Sequence, residues 1–394
     1  MREKIPFIAA ILLFAGCIVV GCSAKSGEVA QTRFMQQWEE KAEFSKEKTQ
    51  EELYQDALLE KTLVVYSVTS RIFEVKDSFE KKYPGLIVEV KDIRSQDVVS
   101  MAKEEYERET YNCDVIICSD GDGSLNQELI ETGICYSYIP IDILPKMKEG
   151  HFEDKLYYVG EALMPFYNTS IFKEQPIHNI WELTEKKYKK KIIMANPLSS
   201  FSTYAYSAVL LKESDRIAQA YMDYTGEELV LPEGKTAGEF FWEKLSEQVV
   251  FVNSSDDVIE GIGSGREQGM MIGIMISSKM RLLEVGYHFA PIYQLNPYAA
   301  VYTPNSALIA GGSRNVNAAK LFIWHLLGET DGKGEGIKPY STLGTWSVRK
   351  DIEDGNDVGL EEIDVIFFNR EYLYEKNEYI RTFLEGILDE SVKE

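Results

Sequence analysis

Three short stretches set hydroxyl side chains at the end of an apolar run, and these are the places where this chain could hold a ligand. Ser67, Thr69, Ser70 and Arg71 follow the run 63–66, Ser199, Ser200, Ser202 and Thr203 follow 192–195, and Ser277 and Ser278 follow 270–276. A hydroxyl-rich turn leading from a strand into a helix offers side-chain oxygens and the unpaired N–H groups of the first helical turn. The positive end of the helix dipole lies behind them, so such a turn suits carboxylate, phosphate or phosphonate oxygens. For any one of these turns alone, plain N-capping is the better explanation. Three turns at matching positions favour a ligand. Arg71 adds a fixed cation, and Thr69, Ser70 and Arg71 are expected to clamp an anion against Ser200, Ser202 and Ser278. Ser119 and Asp120 end a fourth apolar run, 113–117, and Tyr302 is an aromatic candidate for the wall of the same pocket.

The elements that must position these residues follow from periodicity. Residues 63–66 (LVVY) form a short, β-branched run that reads as a strand buried on both faces. Ile72, Val75, Phe79 and Tyr83 then recur at helical spacing, Pro84-Gly85 stops the helix, and 86–90 is a second strand. This is a βαβ unit, and ligands of open α/β sheets bind at its strand-to-helix turn. Strands and helices keep alternating along the chain, which predicts an α/β fold. An extended stretch at 156–168 has no helical period, and 299–303 is another. The tail 364–388 is amphipathic.

Several chemistries are disfavoured. In SDGDGSLNQELIE the residues Asp120, Asp122, Ser124, Asn126, Glu128 and Glu131 fall at calcium-loop positions, but Leu125 stands where the sharp turn needs glycine. A turn capped by Ser124 is the better reading. The chain contains no nucleophile elbow, zinc-protease motif or phosphate-binding P-loop, and its four histidines are scattered, so neither an enzyme nor a metal or cofactor site is predicted. A formal net charge of −22 over 394 residues excludes nucleic-acid binding through bulk charge.

The segment YQDALLEKTLVVYSVTSRIFEVKDSFEKKYPGLIVEV resembles the start of a mature solute-binding protein of a bacterial ABC importer, of the branch with iron, thiamine, polyamine and phosphonate binders. PFYNTSIF, WELTEKKYKKKIIMANPLSSFST, GMMIGIMISS and TPNSALIAGGSRNVNAAKLFIWHLL keep that resemblance in order. It implies a two-lobe periplasmic-binding-protein-like clamshell of type 2, with two hinge crossover strands at 156–168 and 299–303. The corresponding division is a first lobe over 51–165 and 299–350, a second lobe over 166–298, and a C-terminal helical segment over 351–394. The implied function is capture of a small polar, anionic molecule and its delivery to the ABC permease by a monomer that does no chemistry. Ferric iron, polyamine or thiamine as ligand, a sensor feeding a receptor kinase, and a surface enzyme on the same scaffold are the alternatives. The ferric binders carry adjacent tyrosines where this chain has Ser277-Ser278, which sets iron behind an organic or phosphorylated anion.

Residues 1–22 point to the compartment. A basic start (Arg2, Lys4), an apolar run and Val19-Val20-Gly21-Cys22 match a lipoprotein signal with its lipobox, predicting cleavage after residue 21 and lipidation at Cys22. Cleavage removes Arg2, Glu3 and Lys4 and leaves −23. Two acyl chains anchor durably where one does not, which places the protein on the outer face of the cytoplasmic membrane, with 22–50 as a polar tether. The remaining Cys113, Cys118 and Cys135 read as buried thiols. Cys22→Ser is expected to release the protein from membranes or leave its signal uncleaved. Membrane fractionation and the mass of the mature protein check this, and no change in either refutes lipidation.

Overall fold

A computed structural model describes residues 26–152, 155–265 and 269–393, so the signal segment and Cys22 lie outside the described residues. Helices α1 (Ser26–Ala42) and α2 (Gln50–Glu60) precede β1 (Thr62–Ser67), α3 (Ile72–Lys82), β2 (Ile87–Asp92), α4 (Ser95–Glu107), β3 (Val115–Ser119), β4 (Cys135–Tyr136) and β5 (Tyr157–Val159). Next come β6 (Ala162–Asn168), β7 (Ile192–Ala195), α5 (Phe201–Lys212), α6 (Ser214–Thr225), α7 (Ala237–Ser246), β8 (Val249–Val252), α8 (Ser255–Gly263), β9 (Ile272–Ile276), β10 (Phe289–Pro291) and β11 (Ala300–Tyr302). The chain ends with β12 (Asn305–Ala310), α9 (Val316–Leu326), β13 (Val365–Phe367), α10 (Arg370–Glu375) and α11 (Asn377–Lys393).

Two sheets result. The first runs β2-β1-β3-β12-β4, with β5 also on β12; the second runs β13-β11-β6-β9-β7-β8, with β10 on β6. β1 is parallel to β2 and β3, and β7 is parallel to β8 and β9, as the βαβ reading requires. The chain changes sheet between Val159 and Ala162 and returns between Tyr302 and Asn305. This is the expected α/β clamshell of two lobes. The exchanges fall a few residues from 165/166 and 298/299, because β6 from Ala162 and β11 to Tyr302 already pair in the second sheet. A third segment joins the hinge through an isolated antiparallel bridge: Gly160 N–H donates to Trp346 O (2.8 Å) and Trp346 N–H to Gly160 O (2.9 Å).

Packing explains the elements. In α3, Ile72, Val75 and Phe79 bury one face, and the helix ends where Pro84 cannot continue it and Gly85 takes φ +98°. Helix α5 is buried almost all round, from Thr203 to Leu211, and forms the centre of the second lobe. Cys113, Cys118 and Cys135 are buried free thiols, and burial pushes all three up in pKa. Among the described residues no helix is long and apolar enough to cross a membrane.

The segment read as a tether is helical from Ser26 and docks on the first lobe. Met35, Trp38 and Ala42 pack with Val316, and Trp38 Nε1 donates to Ser313 O at 2.7 Å. Those three residues sit three and four apart between charged neighbours, a short apolar stripe easily overlooked. Lys320 caps the helix, with Nζ donating to Ala42 O (2.5 Å) and Glu43 O (2.9 Å), under the rings of Phe44 and Tyr138. Burial, and secondarily the nearby Lys48 charge, pulls Lys320 from 10.5 to about 8. The unfolded chain therefore binds a proton between about pH 8 and 10.5 that the folded chain lacks, so this group adds stability as pH rises through that window. Urea melts of wild type and Lys320→Met at pH 7.5 and 9.5 should show the wild type gaining on the variant at the higher pH. Parallel behaviour would refute the shift.

Candidate functional site

Between the lobes lies a polar cavity of about 260 Å³. The first lobe contributes Thr69, Ser70, Arg71, Ser95 and Ser119; the second contributes Ser200, Phe201, Ser202, Ser255, Asp256, Ser278, Lys279 and Arg281. Glu161, Thr303 and Asn305, at the crossovers, form its floor. The N-terminal ends of α3, α4, α5 and α8 all reach this space, so four positive helix ends face it.

The candidates read from sequence separate into two groups. Thr69, Ser70, Arg71, Ser119, Ser200, Ser202 and Ser278 come together at the cavity. Ser67, Asp120, Ser199, Thr203, Ser277 and Tyr302 do not line it, and each has another task. Ser67 Oγ folds the turn on itself, accepting from Thr69 N–H and donating to Thr69 O, both at 3.1 Å. Asp120 forms a buried pair with Lys155 (2.6 Å) and accepts from Leu125 N–H at 3.0 Å. Burial pulls the Lys155 pKa down even with this carboxylate beside it. Ser199 is exposed and donates to Asn196 O (3.0 Å). Thr203 is buried behind Ser200, whose hydroxyl caps α5 by accepting from Thr203 N–H (3.4 Å). Ser277 Oγ donates to Gly344 O (2.5 Å) and accepts from Ala162 N–H (3.0 Å), stitching the hinge. Tyr302 is buried with its hydroxyl 2.8 Å from His151 Nε2.

Arg71 is at the cavity but is not a free cation. Its Nη2 pairs with Glu161 Oε1, its Nη1 donates to Pro339 O (3.4 Å), and its guanidinium lies 4.6 Å from the centre of the Tyr340 ring. Side-chain exposures of 11% for Arg71 and 7% for Glu161 make this a buried ion pair. Burial alone would lower the Arg71 pKa; the Glu161 carboxylate together with Tyr340 and Tyr158 outweighs it and raises the pKa overall.

The cation left over is one that sequence reasoning missed. Lys279 is paired with Asp256, whereas Arg281 Nη1 donates to the backbone Ser278 O (2.7 Å). Among the described residues no carboxylate lies within ion-pair distance of Arg281. Burial, then the neighbouring Arg71 charge, lowers its pKa from the ordinary arginine value. The signal was its place in the helical turn that follows Ser277-Ser278. Thr303 was missed as well: it is buried, lines the cavity, and its Oγ1 has no hydrogen-bond partner among the described residues. Asp122, the second carboxylate of the calcium-like loop, turns inward to Ser124 N–H (3.1 Å), and no acidic, His or Cys cluster able to hold a metal occurs among the described residues.

Two α/β lobes closing on a polar cleft across a hinge define a type 2 periplasmic binding protein. Over residues 74–359 the chain matches the family of bacterial extracellular solute-binding proteins, and it belongs to that family. No curated protein matches it by sequence. Among solved structures it is similar to iron-bound HitA from Pseudomonas aeruginosa, with 16% identity and a TM-score of 0.61 over 83% of this chain and 99% of that one. AfuA from Actinobacillus pleuropneumoniae with fructose-6-phosphate bound gives 17% and 0.63 over 83% and 98%. A periplasmic thiamin binding protein gives 14% and 0.58 over 83% and 96%.

The ion pair makes a specific demand on the fold. Arg71→Ala leaves Glu161 buried and uncompensated, and removing one partner of a buried pair costs about 3–5 kcal/mol. Urea unfolding should show a loss of that size for Arg71→Ala, most of it restored in Arg71→Ala/Glu161→Gln. A single variant as stable as wild type would show that Arg71 is not a structural residue.

Proposed function

We propose that the protein captures a small, polar, anionic solute in the interlobe cleft and delivers it to the permease of an ABC importer. It does so by binding and hinge closure, without chemistry. The observation that carries this reading is the guanidinium of Arg281, at the cavity among four positive helix ends and without a carboxylate partner among the described residues. Ser70, Ser200, Ser202 and Ser278 supply hydroxyls around it, and the floor of Glu161, Thr303 and Asn305 can accept from and donate to hydroxyl groups on the body of the solute. A phosphorylated or carboxylated polyol fits this donor set.

The cavity's composition weighs against the other ligands. Iron(III) of the tyrosine type needs phenolates, and no tyrosine is among the described residues that line the cavity. An aromatic heterocycle such as thiamine favours stacking walls, and Phe201 is the one aromatic lining residue described. The lipid anchor at Cys22 belongs to the same proposal. Helix α1 starts four residues after Cys22 and packs on the first lobe from Met35 onward, so the anchor would hold that lobe near the membrane.

A thermal-shift screen of sugar phosphates, phosphonates, carboxylates, polyamines, thiamine and iron(III) tests the reading, because a ligand bound only by the folded form raises its melting temperature. A phosphorylated or carboxylated solute should raise it. Arg281→Ala should then weaken that solute about ten- to a hundredfold by calorimetry, the value of a charge-assisted hydrogen bond of roughly 1.5–3 kcal/mol. A screen without any shift would end the transport reading, and an unchanged dissociation constant would remove Arg281 from the site.

A further inference from the structure

The family match ends at residue 359, and β13, α10 and α11 lie beyond it. They form an arm rooted in the second lobe. β13 pairs with β11, Leu373, Ile380 and Leu384 are buried in that lobe's core, and Tyr379 Oη donates to Glu239 of α7 at 2.8 Å. The arm meets the first lobe around the loop 120–124. Gly123, at φ +81°, is so close to α10 that a Cβ there would sit 2.4 Å from Arg370 O and 2.9 Å from Tyr374 Cβ. Arg381 Nη2 lies 3.7 Å from Asp122 Oδ2.

The same loop is pressed from the second lobe at a second point. A Cβ on Gly121 would sit 2.4 Å from Phe201 O. Phe201 belongs to α5, yet its side chain is buried in the first lobe's cluster with Leu125 and Leu129, while its helix neighbours Tyr204, Val209 and Leu210 lie in the second lobe's core. Two glycines in one loop thus admit two second-lobe backbones at contact distance.

We infer that the loop 120–124 is the seat on which the closed cleft is fastened, by Phe201 at the cavity and by the C-terminal arm outside it. The arm thereby sets the open–closed balance of the solute site, an inference that rests on the cleft reading above. Its attachments differ in kind. The second-lobe side is a strand pairing and an apolar core, which stays assembled. The first-lobe side is a backbone contact, the Arg370 guanidinium 5.8 Å from the centre of the Tyr157 ring, and a charge pair of Arg381 (39% exposed) with Asp122 (7%), polar contacts that can part when the hinge opens. Gly121, Asp122, Gly123, Tyr374 and Arg381 do not line the cavity, so altering the seam leaves the solute contacts in place. Apparent affinity scales with the fraction of closed molecules.

Interlobe distance in the ligand-free, full-length protein tests this directly. Cysteines introduced at Leu59 of α2 and Val230 between α6 and α7, 84% and 86% exposed, accept fluorophores while the native thiols of the described residues stay buried. Single-molecule energy transfer in the wild type should show a closed population. Arg381→Ala/Tyr374→Ala should lower the closed-to-open ratio about fivefold or more, with circular dichroism unchanged. Asp122→Asn, from the first-lobe side, should shift it in the same direction and serves if the double variant does not fold. Tyr379→Phe, which alters only the second-lobe attachment, should leave the distribution in place. A wild type with no closed population, or seam variants with wild-type distributions, would overturn the inference. Because no ligand is used, a failed solute screen leaves this result standing, and an unmoved distribution leaves the solute reading standing.

Discussion

The buried carboxylate of Glu161 is the constraint around which the hinge is arranged. A charge this far from water must be paired and hydrogen-bonded, or the region will not fold around it. Its partners come from different parts of the chain: Arg71 from the start of α3, Asn305 Nδ2 (2.8 Å) from the start of β12, and Thr303 N–H on the Glu161 carbonyl (2.8 Å). Satisfying one residue therefore holds both crossovers side by side and ties them to the first lobe. Close approach completes the bundle. Gly160 has no room for a side chain, since a Cβ there would meet the Tyr302 hydroxyl at 2.3 Å, and its backbone pairs with Trp346.

That pairing also decides what the cleft can attract. Arg71 and Glu161 cancel, Lys279 and Asp256 cancel, and Arg281 remains. In a protein of net charge −22 the bulk field repels anions, so selectivity for one has to be local, built from a cation and helix ends within a small enclosed volume. Low solvent access strengthens each of those contacts relative to the same groups at the surface.

The sequence carried the architecture because it is written in local period. β3 and β7 are unbroken apolar runs, as strands covered on both faces must be, and α3 shows its buried stripe at 72, 75 and 79. The strand-end hydroxyls Thr69, Ser70, Ser119, Ser200, Ser202 and Ser278 were legible for the same reason: a strand end in this topology has one place to point. Pairing was not legible. Glu161 is 90 residues from Arg71, Lys155 is 35 from Asp120, and His151 is 151 from Tyr302, and nothing in the local spacing marks any of them. The same blindness promoted Arg71 as the anion's cation and passed over Arg281, because both follow strand ends by a few residues and only the third dimension shows which is already neutralised.

Closure in a binding protein must be favourable enough to enclose a solute and weak enough to reopen. Phe201 contributes the favourable part, since sinking one aromatic ring into the other lobe is worth about 1.5–3 kcal/mol of apolar burial. A larger apolar seam would shut the cleft whether or not a solute was present. Outside the cavity, the arm meets the first lobe instead through polar contacts, Arg381 at 3.7 Å from the buried Asp122 carboxylate and Arg370 over the Tyr157 ring, and a backbone contact admitted by glycine. Such a seam biases the balance without locking it. On the proposed reading it leaves the deciding increment to the solute that neutralises Arg281, so that enclosure would follow occupancy of the site and emptying it would let the lobes part.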